Sequence, residues 1–364
     1  MTVSLSEPGH VLGGAQSARL RPQDLERTQW AESSPSAAQR RRAGLRDGCS
    51  RRVDHLRLSV ISACEMRCVY CRPHGHRPDE HIHLSDERRL EFVRFLHERF
   101  GLSQVRITGG EPLQYAELAR FVSAVRAALG DVSVALTTNG RLLAKRAAEL
   151  RVAGLDRLNV SLDSLEPDRY RQVTGGVLGE ALAGLWAAVR AGFPPPKINT
   201  VVLRGLNDHE ICNMARWALT GGLEIRFLEA MPIGPAAAFN RRRFVSAAET
   251  RELLAEEFDL VALPETEGAT ARRYRARGSG SVGVIGLIAP ISQPFCDGCR
   301  RMRLTAEGRL YPCLLDSRCV DMSTAWGEGG FCPVTAERLV TDAVAGKQAQ
   351  GPQPQTAAMV ALGG

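Results

Sequence analysis

The residues with the clearest chemical potential are three closely spaced cysteines. Cys64, Cys68 and Cys71 stand at C-x3-C-x2-C spacing, directly after the apolar run at residues 56–61. A strand that runs into a short loop would gather three thiolates on one side, and soft thiolates bind an iron–sulfur cluster or a zinc ion. A [4Fe–4S] cluster held by three cysteines leaves one iron without a protein ligand. A closed zinc site normally takes four ligands, and the histidines that could supply the fourth are His74, His76, His81 and His83.

A second group of cysteines lies in the C-terminal part of the chain. Cys296 and Cys299 form a C-x2-C pair, and Cys313 follows at C-x13-C spacing. This pattern is typical of half a zinc ribbon or of another cluster. The cysteines that match neither pattern are Cys49, Cys212, Cys319 and Cys332.

Composition limits the function classes. The 364 residues suffice for one large α/β domain or two modest ones. Apolar runs such as residues 282–290 are too short to span a bilayer, and the N-terminus has no apolar signal core. We therefore expect a cytoplasmic protein without a membrane partner, whose reduced thiols favour metal binding over disulfides. The net charge of +7 fits an anionic ligand. No basic stretch is interleaved with stacking aromatics, so nucleic acid is not expected.

A β-then-α rhythm that could position these cysteines begins near residue 54. Apolar residues three or four positions apart, as in Leu118, Phe121, Val122 and Val125, predict helices between the strands. Six βα units in succession imply a parallel sheet with right-handed crossovers, fewer than the eight units of a closed barrel. The predicted strands cover residues 56–61, 104–108, 132–137, 157–162, 197–203 and 223–229. The predicted helices include residues 142–153, 178–191 and 210–219.

The rhythm also predicts the domain organisation. Residues 1–50 are polar and include three consecutive arginines, which predicts a disordered basic leader. Residues 51–230 hold the βα units, and the rhythm stops near Met231. A helix near residues 247–258, a β-like run at 281–288 and the second cysteine group then follow. We take residues 231–364 as a smaller second domain.

Taken together, the motifs resemble the radical S-adenosylmethionine (SAM) superfamily. Arg57-Leu58-Ser59 precedes the cysteine motif, which contains Val69 and Tyr70, and a Gly-Gly-Glu-Pro stands at residues 109–112 after a predicted strand. Within that superfamily the chain is most similar to the GTP 3′,8-cyclase (MoaA) family of molybdenum cofactor biosynthesis. The resemblance covers roughly residues 53–318 and the final six. It implies an α/β fold with a partial (β/α)6 TIM-type barrel and a smaller C-terminal auxiliary iron–sulfur domain.

The resemblance also implies the cofactors and the site residues. Two [4Fe–4S] clusters and SAM are expected, with the first cluster on Cys64, Cys68 and Cys71 and the second on Cys296, Cys299 and Cys313. The remaining SAM contacts would be Tyr70, Gly110, Glu111, Ser161 and Met231. The GTP contacts would be Arg57, Arg106, Thr137, Lys197, Arg301 and Arg303, with Arg226 as a further cation. Besides the first three cysteines, the residues expected to act in catalysis are Arg301, Arg303, Gly363 and Gly364.

The family reaction begins with the reductive cleavage of SAM to a 5′-deoxyadenosyl radical. Hydrogen abstraction from C3′ of GTP, attack of that carbon on C8, and the addition of one electron and one proton then give (8S)-3′,8-cyclo-7,8-dihydroguanosine 5′-triphosphate. The implied partners are GTP, an electron donor such as flavodoxin or ferredoxin, and a downstream cyclic pyranopterin monophosphate synthase. A homodimer is left open.

Two positions depart from the family pattern, and two other functions stay open. Gln104 stands where members usually have Lys, and Arg300 stands where they usually have Asn. The first change removes a cation from the expected triphosphate site, and the second adds one beside the second cysteine group. The alternative functions are a radical SAM peptide maturase with an auxiliary cluster and a zinc-stabilised nucleic-acid-binding protein.

Overall fold

The computed structural model of the protein describes residues 44–71, 83–349, 355, 357 and 359–362. Strands and helices alternate through most of this region, as the sequence rhythm predicts. The strands are β1 (His55–Ser59), β2 (Gln104–Thr108), β3 (Ser133–Thr138), β4 (Arg157–Ser161), β5 (Lys197–Val202), β6 (Ile225–Glu229), β7 (Asp259–Ala262), β8 (Arg272–Gly278), β9 (Ser281–Ile288), β10 (Arg301–Leu304), β11 (Arg309–Tyr311), β12 (Val320–Asp321), β13 (Trp326–Gly327) and β14 (Gly330–Phe331). The helices are α1 (Asp86–Phe100), α2 (Leu118–Leu129), α3 (Leu143–Val152), α4 (Pro167–Thr174), α5 (Leu178–Arg190), α6 (Ile211–Thr220), α7 (Ala237–Arg242), α8 (Ala247–Ala255), α9 (Pro333–Ala345) and α10 (Met359–Leu362).

The first six strands form a parallel sheet in chain order, each hydrogen-bonded to the next. All six predicted strands are present, and β2 has the predicted bounds. Local signals set the connecting helices. In α1, for example, the Ser85 side chain caps the first turn, and Gly101 ends the helix in the left-handed region at φ 72°.

Two strands from the C-terminal part of the chain extend this parallel sheet. β10 pairs with β1, and β9 pairs with β6, both in the parallel sense. Eight parallel strands are therefore adjacent, flanked by the antiparallel strands β11 and β12 on one side and β8 and β7 on the other. β10 and β9 pair with these flanking strands and not with each other, so the barrel is partial. The predicted second domain thus supplies part of the same sheet.

The two faces of the parallel strands differ in chemistry. Leu56 and Leu58 of β1 are buried in the main hydrophobic core, with Phe92 and Leu96 of α1 in the same core. The alternate residue, Arg57, lies on the opposite face, because successive side chains of a strand point to opposite sides. The neighbouring strands repeat this alternation, so an apolar outer face packs against helices and a polar inner face is left for a site.

Several elements differ from the predictions. The helices α4, α7, α9 and α10 were not predicted; α4, for example, is mostly polar and its buried face is short. Leu45, within the predicted leader, is 4% exposed and belongs to the main core. Residues 44–50 are therefore not a disordered leader, and residues 1–43 lie outside the described residues. No helix in the described part of the chain combines the length and apolar character that crossing a membrane requires.

Candidate active site

One cavity of about 1760 Å³ is lined by the polar face of the parallel strands. Both cysteine groups reach it. The predicted site residues that line it are Arg57, Cys64, Cys68, Tyr70, Cys71, Arg106, Gly110, Glu111, Thr137, Ser161, Lys197, Arg226, Met231, Cys296, Cys299, Arg301, Arg303 and Cys313. Gly363 and Gly364 lie outside the described residues.

The two cysteine groups lie at opposite ends of the strands. The first group follows the carboxyl end of β1. Cys296 and Cys299 precede the amino end of β10, which runs parallel to β1. Cys313 follows β11, which is antiparallel to β10, so the chain returns to the same end. Only the first group therefore lies at the carboxyl ends of the strands, where the active sites of βα barrels lie.

The first cysteine loop is anchored by the unpredicted helix α4. The backbone N–H of Arg67 donates to the carbonyl of Thr174 at 2.8 Å, and that of Val69 donates to the carbonyl of Val173 at 2.9 Å. These carbonyls end α4 and would otherwise lack intrahelical partners. The helix therefore fixes the middle of the loop that carries the three thiols.

The thiols of this loop are held where a lone thiolate is unfavourable. Burial raises the pKa of Cys64 to about 12, and it raises the pKa of Cys68 well above its usual value. Nearby carboxylates act in the same direction, Glu65 on Cys64 and Asp163 on Cys68. A bound metal would supply the positive charge that these thiolates need. The donor set therefore fits an iron–sulfur cluster.

The three thiols of each cysteine group are too far apart in space to bind a single zinc ion together. Among the described residues, one group has three ligand atoms of His, Cys, Asp or Glu that all lie within 4.8 Å of one another, and it consists of Glu166, His209 and Glu210. Neither cysteine group meets this limit. Thiolates on one zinc ion would lie closer, about 3.8 Å apart, because each Zn–S bond is about 2.3 Å. His83 instead contacts the Ser62 hydroxyl at 3.1 Å. The set of Glu166 and Glu210 is itself paired with Arg169.

The Gly-Gly-Glu-Pro segment packs against the start of the cysteine loop. The N–H of Gly110 donates to the carbonyl of Ile61 at 2.7 Å, and that of Glu111 donates to the carbonyl of Ala63 at 2.8 Å. A Cβ on Gly110 would lie 2.1 Å from the Ala63 oxygen. The glycine is therefore required by the contact between two loops of the protein.

The Glu111 side chain connects its own turn to the end of β3 at this end of the cavity. Its carboxylate accepts hydrogen bonds from the N–H of Leu113 at 3.0 Å, the hydroxyl of Thr138 at 2.6 Å and the N–H of Asn139 at 2.8 Å. Burial raises the pKa of Glu111 to about 7, although these donors oppose the rise. An ammonium group nearby would favour the ionised form.

Two further predicted SAM residues are held together by a residue that the sequence did not reveal. The Asn240 amide donates to the carbonyl of Tyr70 at 2.9 Å and to that of Met231 at 2.7 Å. The Tyr70 hydroxyl donates to Asp163 at 2.7 Å. Asn240 lies on the short helix α7, and only the tertiary structure brings it to this place.

Cations occupy the middle of the polar face and its amino-terminal end. Strand register aligns Arg303 of β10, Arg57 of β1 and Arg106 of β2 in one row across the sheet. Burial, followed by the charges of Arg57 and Arg226, holds the pKa of Arg106 well below its usual value. Burial also lowers the pKa of Arg57 to about 10, with Arg301 acting in the same direction. An anion in the cavity would relieve this repulsion.

Acidic side chains neutralise only part of this charge. Glu224 pairs with Lys197 at 3.1 Å and with Arg226 at 2.6 Å. Among the described residues, no carboxylate pairs with Arg57 or Arg106, and Nη1 of Arg106 is buried without a hydrogen-bond partner. An unpartnered buried donor is costly, so a ligand acceptor fits this position.

The second cysteine group carries its own cations. Arg301 Nη2 donates to Cys299 Sγ at 3.3 Å, and its guanidinium lies 4.9 Å from the centre of the Phe295 ring. Lys347 donates to the carbonyls of Arg301 and of Pro312, the latter at 3.0 Å. Burial raises the pKa of the Cys299 thiol, but the charges of Arg301 and Lys347 outweigh it, so the pKa is about 6. A thiolate is thus favoured here, as cluster ligation requires. Lys347 was not predicted, since it lies far from the cysteines in sequence.

The C-terminal segment enters the same cavity. Met359 of α10 lines it, and Arg303 Nη1 donates to the carbonyl of Leu362 at 3.2 Å. The described chain therefore ends beside one of the predicted GTP contacts. The role expected for Gly363 and Gly364 stays a prediction.

Comparison with known proteins gives the family. A model of the radical SAM superfamily matches residues 58–218, and a model named Molybdenum Cofactor Synthesis C matches residues 223–351. A GTP 3′,8-cyclase of Heliobacterium modesticaldum is 39% identical over 312 residues, which cover 84% of this chain and 93% of that one. A GTP 3′,8-cyclase of Pseudomonas putida is 39% identical over 302 residues, covering 82% and 90%. The chain belongs to the GTP 3′,8-cyclase family.

Solved structures support the fold of this family member. Streptococcus suis SuiB bound to S-adenosylmethionine superposes with a TM-score of 0.52 at 14% identity, covering 78% of this chain and 68% of SuiB. SuiB bound to its precursor peptide SuiA gives a TM-score of 0.54 at 13% identity, covering 80% and 64%. At this identity the likeness extends to the fold alone, and it confirms the partial barrel.

The two departures from the GTP 3′,8-cyclase pattern have different consequences. Arg300 Nε donates to Asp54 at 2.7 Å, and a second hydrogen bond makes the pair bidentate. Burial raises the pKa of Asp54, but the hydrogen bond from Arg300 and the charges of His55, Arg300 and Arg52 together outweigh it, so the pKa lies below its usual value. The extra cation is therefore paired inside the protein, with a carboxylate that also pairs with Arg52 at 3.0 Å. Gln104 lines the cavity and leaves a neutral position among cations.

The four remaining cysteines do not line the cavity. Cys49, Cys319 and Cys332 are exposed. Cys212 is partly buried on α6, where its thiol contacts the carbonyl of Leu253 at 3.2 Å. None of these observations assigns them a function.

Proposed function

We propose that this protein is a GTP 3′,8-cyclase, the radical SAM enzyme that begins molybdenum cofactor biosynthesis. One observation carries the proposal: a single cavity has a cysteine triad at each end and incompletely neutralised arginines between them. Such a cavity suits a nucleoside triphosphate that must meet one cofactor with its ribose and the other with its base.

At the carboxyl end of the strands, Cys64, Cys68 and Cys71 would hold the first [4Fe–4S] cluster. When bound, the cluster and SAM supply the 5′-deoxyadenosyl radical that takes the hydrogen atom from C3′ of the ribose. The protein's part is to place SAM, with Glu111 accepting from its ammonium group. The other residues that we propose to contact SAM are Tyr70, Gly110, Ser161 and Met231.

At the amino end, Cys296, Cys299 and Cys313 would hold the second cluster, against which the guanine is placed. The triphosphate needs several cations, and arginine guanidinium groups suit phosphate oxygens. By fixing the distance between C3′ and C8 of GTP, the protein would accelerate the cyclisation through position and orientation. The residues that we propose for this role are Arg57, Arg106, Thr137, Lys197, Arg301 and Arg303. Arg226 is a further candidate, and Gly363 and Gly364 would complete the site.

The reaction requires partners. Reductive cleavage of SAM takes one electron, so we propose a donor such as flavodoxin or ferredoxin. The cyclised triphosphate would pass to a cyclic pyranopterin monophosphate synthase. Thiolate ligands require a reducing compartment, which favours the cytoplasm.

The decisive experiment is anaerobic reconstitution followed by iron analysis and an assay with SAM and GTP. We expect about eight irons per chain, since each [4Fe–4S] cluster holds four, and 5′-deoxyadenosine whose formation depends on GTP. About four irons, with SAM cleavage indifferent to GTP, would leave the radical chemistry but reject GTP as the substrate.

Single substitutions test the two ends of the cavity separately. Cys68→Ala should abolish SAM cleavage because the first cluster loses a ligand. Arg301→Ala should weaken GTP binding and still permit uncoupled SAM cleavage. Cys332→Ala is the matched control, since that thiol is exposed and outside the cavity. Normal GTP binding by Arg301→Ala would refute the placement of the triphosphate.

A further inference from the structure

Arg157 extends the row of cations by another strand. It is the first residue of β4 and lines the cavity. Register aligns Arg106 of β2 with Ala135 of β3, and Ala135 with Arg157. The residue between the two arginines therefore has only a methyl side chain, and the charge of Arg157 acts on Arg106 and on Lys197.

The charge of Arg157 has no neutralising partner among the described residues. In the part of the chain that the structure describes, no carboxylate forms an ion pair with it; its guanidinium donates to the Ser133 hydroxyl at 2.6 Å. Nearby cations differ in this respect. Arg126 pairs with Asp156 at 2.6 Å, and Lys197 pairs with Glu224. Arg157 thus carries a net positive charge into a cavity that already contains the incompletely paired Arg106.

Ser133 determines which part of the cavity this charge reaches. In the strand register Ser133 stands beside Gln104. The hydrogen bond to Ser133 therefore draws the Arg157 guanidinium toward the row of Gln104, one of the neutral positions at this end of the polar face. A ligand phosphate near Gln104 would find its cation on β4.

We propose that Arg157 is a further positioning residue for the terminal phosphates of the nucleotide, and that Ser133 holds its guanidinium in place. The inference rests on the proposed function, since it concerns the same cavity. A polyphosphate bound along the row would be shared by Arg57, Arg106 and Arg157, whose planar forks suit several phosphate oxygens at once. A nucleoside monophosphate would be too short to use all three.

The test is the binding of GTP, GDP and GMP to the reconstituted holoenzyme under anaerobic conditions, at two salt concentrations. We expect Arg157→Gln to weaken GTP binding by about tenfold or more, the effect of losing one hydrogen bond to a charged group. GMP binding should change by less than about twofold, because its single phosphate does not reach Arg157. The salt dependence of GTP binding should also become shallower, since one cation is lost.

Three further variants sharpen the result. Arg157→Lys keeps the charge without the fork and should restore part of the affinity. Ser133→Ala should give an intermediate loss of GTP affinity, which also tests the inference if Arg157→Gln fails to fold. Arg120→Gln makes the same charge change on α2, where Arg120 is exposed and paired with Glu117, and should bind GTP normally.

The outcomes separate this inference from the proposed function. If the wild-type enzyme prefers GTP to GMP and Arg157→Gln keeps that preference, Arg157 has no such role and the inference is overturned. If Arg157→Gln weakens GTP and GMP equally, the residue acts on the whole site and the assignment to the terminal phosphates fails. If the wild-type enzyme shows no preference for GTP, the proposed function itself falls.

Discussion

Asn240 offers a sharp test of how the SAM end of the cavity is held together. It is 1% exposed, and its amide donates to the carbonyl of Tyr70 in the cysteine loop and to that of Met231 after β6. Both acceptors belong to residues that we propose to contact SAM. Replacing Asn240 by Ala removes both donors and leaves two carbonyls without these partners.

The expected cost follows from these two hydrogen bonds. A neutral hydrogen bond contributes about 1 kcal/mol net, and a buried group left without a partner costs about 1–3 kcal/mol. We therefore expect Asn240→Ala to lower the free energy of unfolding by about 2–4 kcal/mol. Asn240→Asp should cost at least as much at neutral pH, because an ionised carboxylate would face two carbonyl oxygens instead of donating to them.

The free energy of unfolding would be measured by urea titration with the thiols kept reduced, and SAM binding by calorimetry on the reconstituted enzyme. Because the loosened loops must be ordered on binding, the Kd for SAM should rise by about tenfold. Asn213→Ala is the control, since the Asn213 side chain accepts from the exposed Arg216 on α6 and lies outside the cavity lining. If Asn240→Ala unfolds at the wild-type urea concentration, or binds SAM normally, the reasoning about this contact is refuted.

Three further predictions concern the clusters and the cations. Lys347→Met should raise the pKa of the Cys299 thiol above its value of about 6, as measured by alkylation of the apoprotein. The same variant should bind about four irons per chain instead of about eight, and Lys347→Arg should retain more iron than Lys347→Met. Burial lowers the pKa of Lys197 to about 8, so the ammonium loses its proton above that pH. GTP affinity should fall between pH 7 and 9 in the wild type and less in Lys197→Met, and parallel profiles would contradict this. Gly110→Ala should displace the cysteine loop and prevent binding of the first cluster, which would be measured as a loss of iron and of SAM binding. Gly179→Ala is the control and should retain both, because nothing lies within 4 Å of the added Cβ.

The strands and most helices of the first six βα units could be predicted because their signals are local. Alternation of apolar residues, helix caps and glycine stops lie within a few residues of the elements that they define. The cysteine spacing is local as well, so the first triad was found from its own motif. α4 was missed because its polar sequence has little apolar periodicity, although Pro167 stands at its start, Gly175 ends it, and its terminal carbonyls anchor the cysteine loop.

The register of the sheet required the tertiary structure. β9 and β10 extend the parallel sheet from both sides, although they lie outside the βα rhythm of residues 54–230. Their pairing joins residues that are far apart in the chain, and periodicity carries no information on such partners. For the same reason the sequence did not reveal that the second cysteine group lies at the amino end of the strands.

The sequence by itself determined which chemistry is available: two cysteine triads, a glycine-rich turn after a strand, and arginines that alternate with apolar residues. The tertiary structure decided which of these charges remain for a ligand. Arg300 forms an ion pair with the buried Asp54, whereas Arg157 donates to a serine and has no carboxylate partner among the described residues. The physical reason is that the free charge of a side chain depends on what lies within a few ångströms of it. Those neighbours come from strands that only the fold brings together.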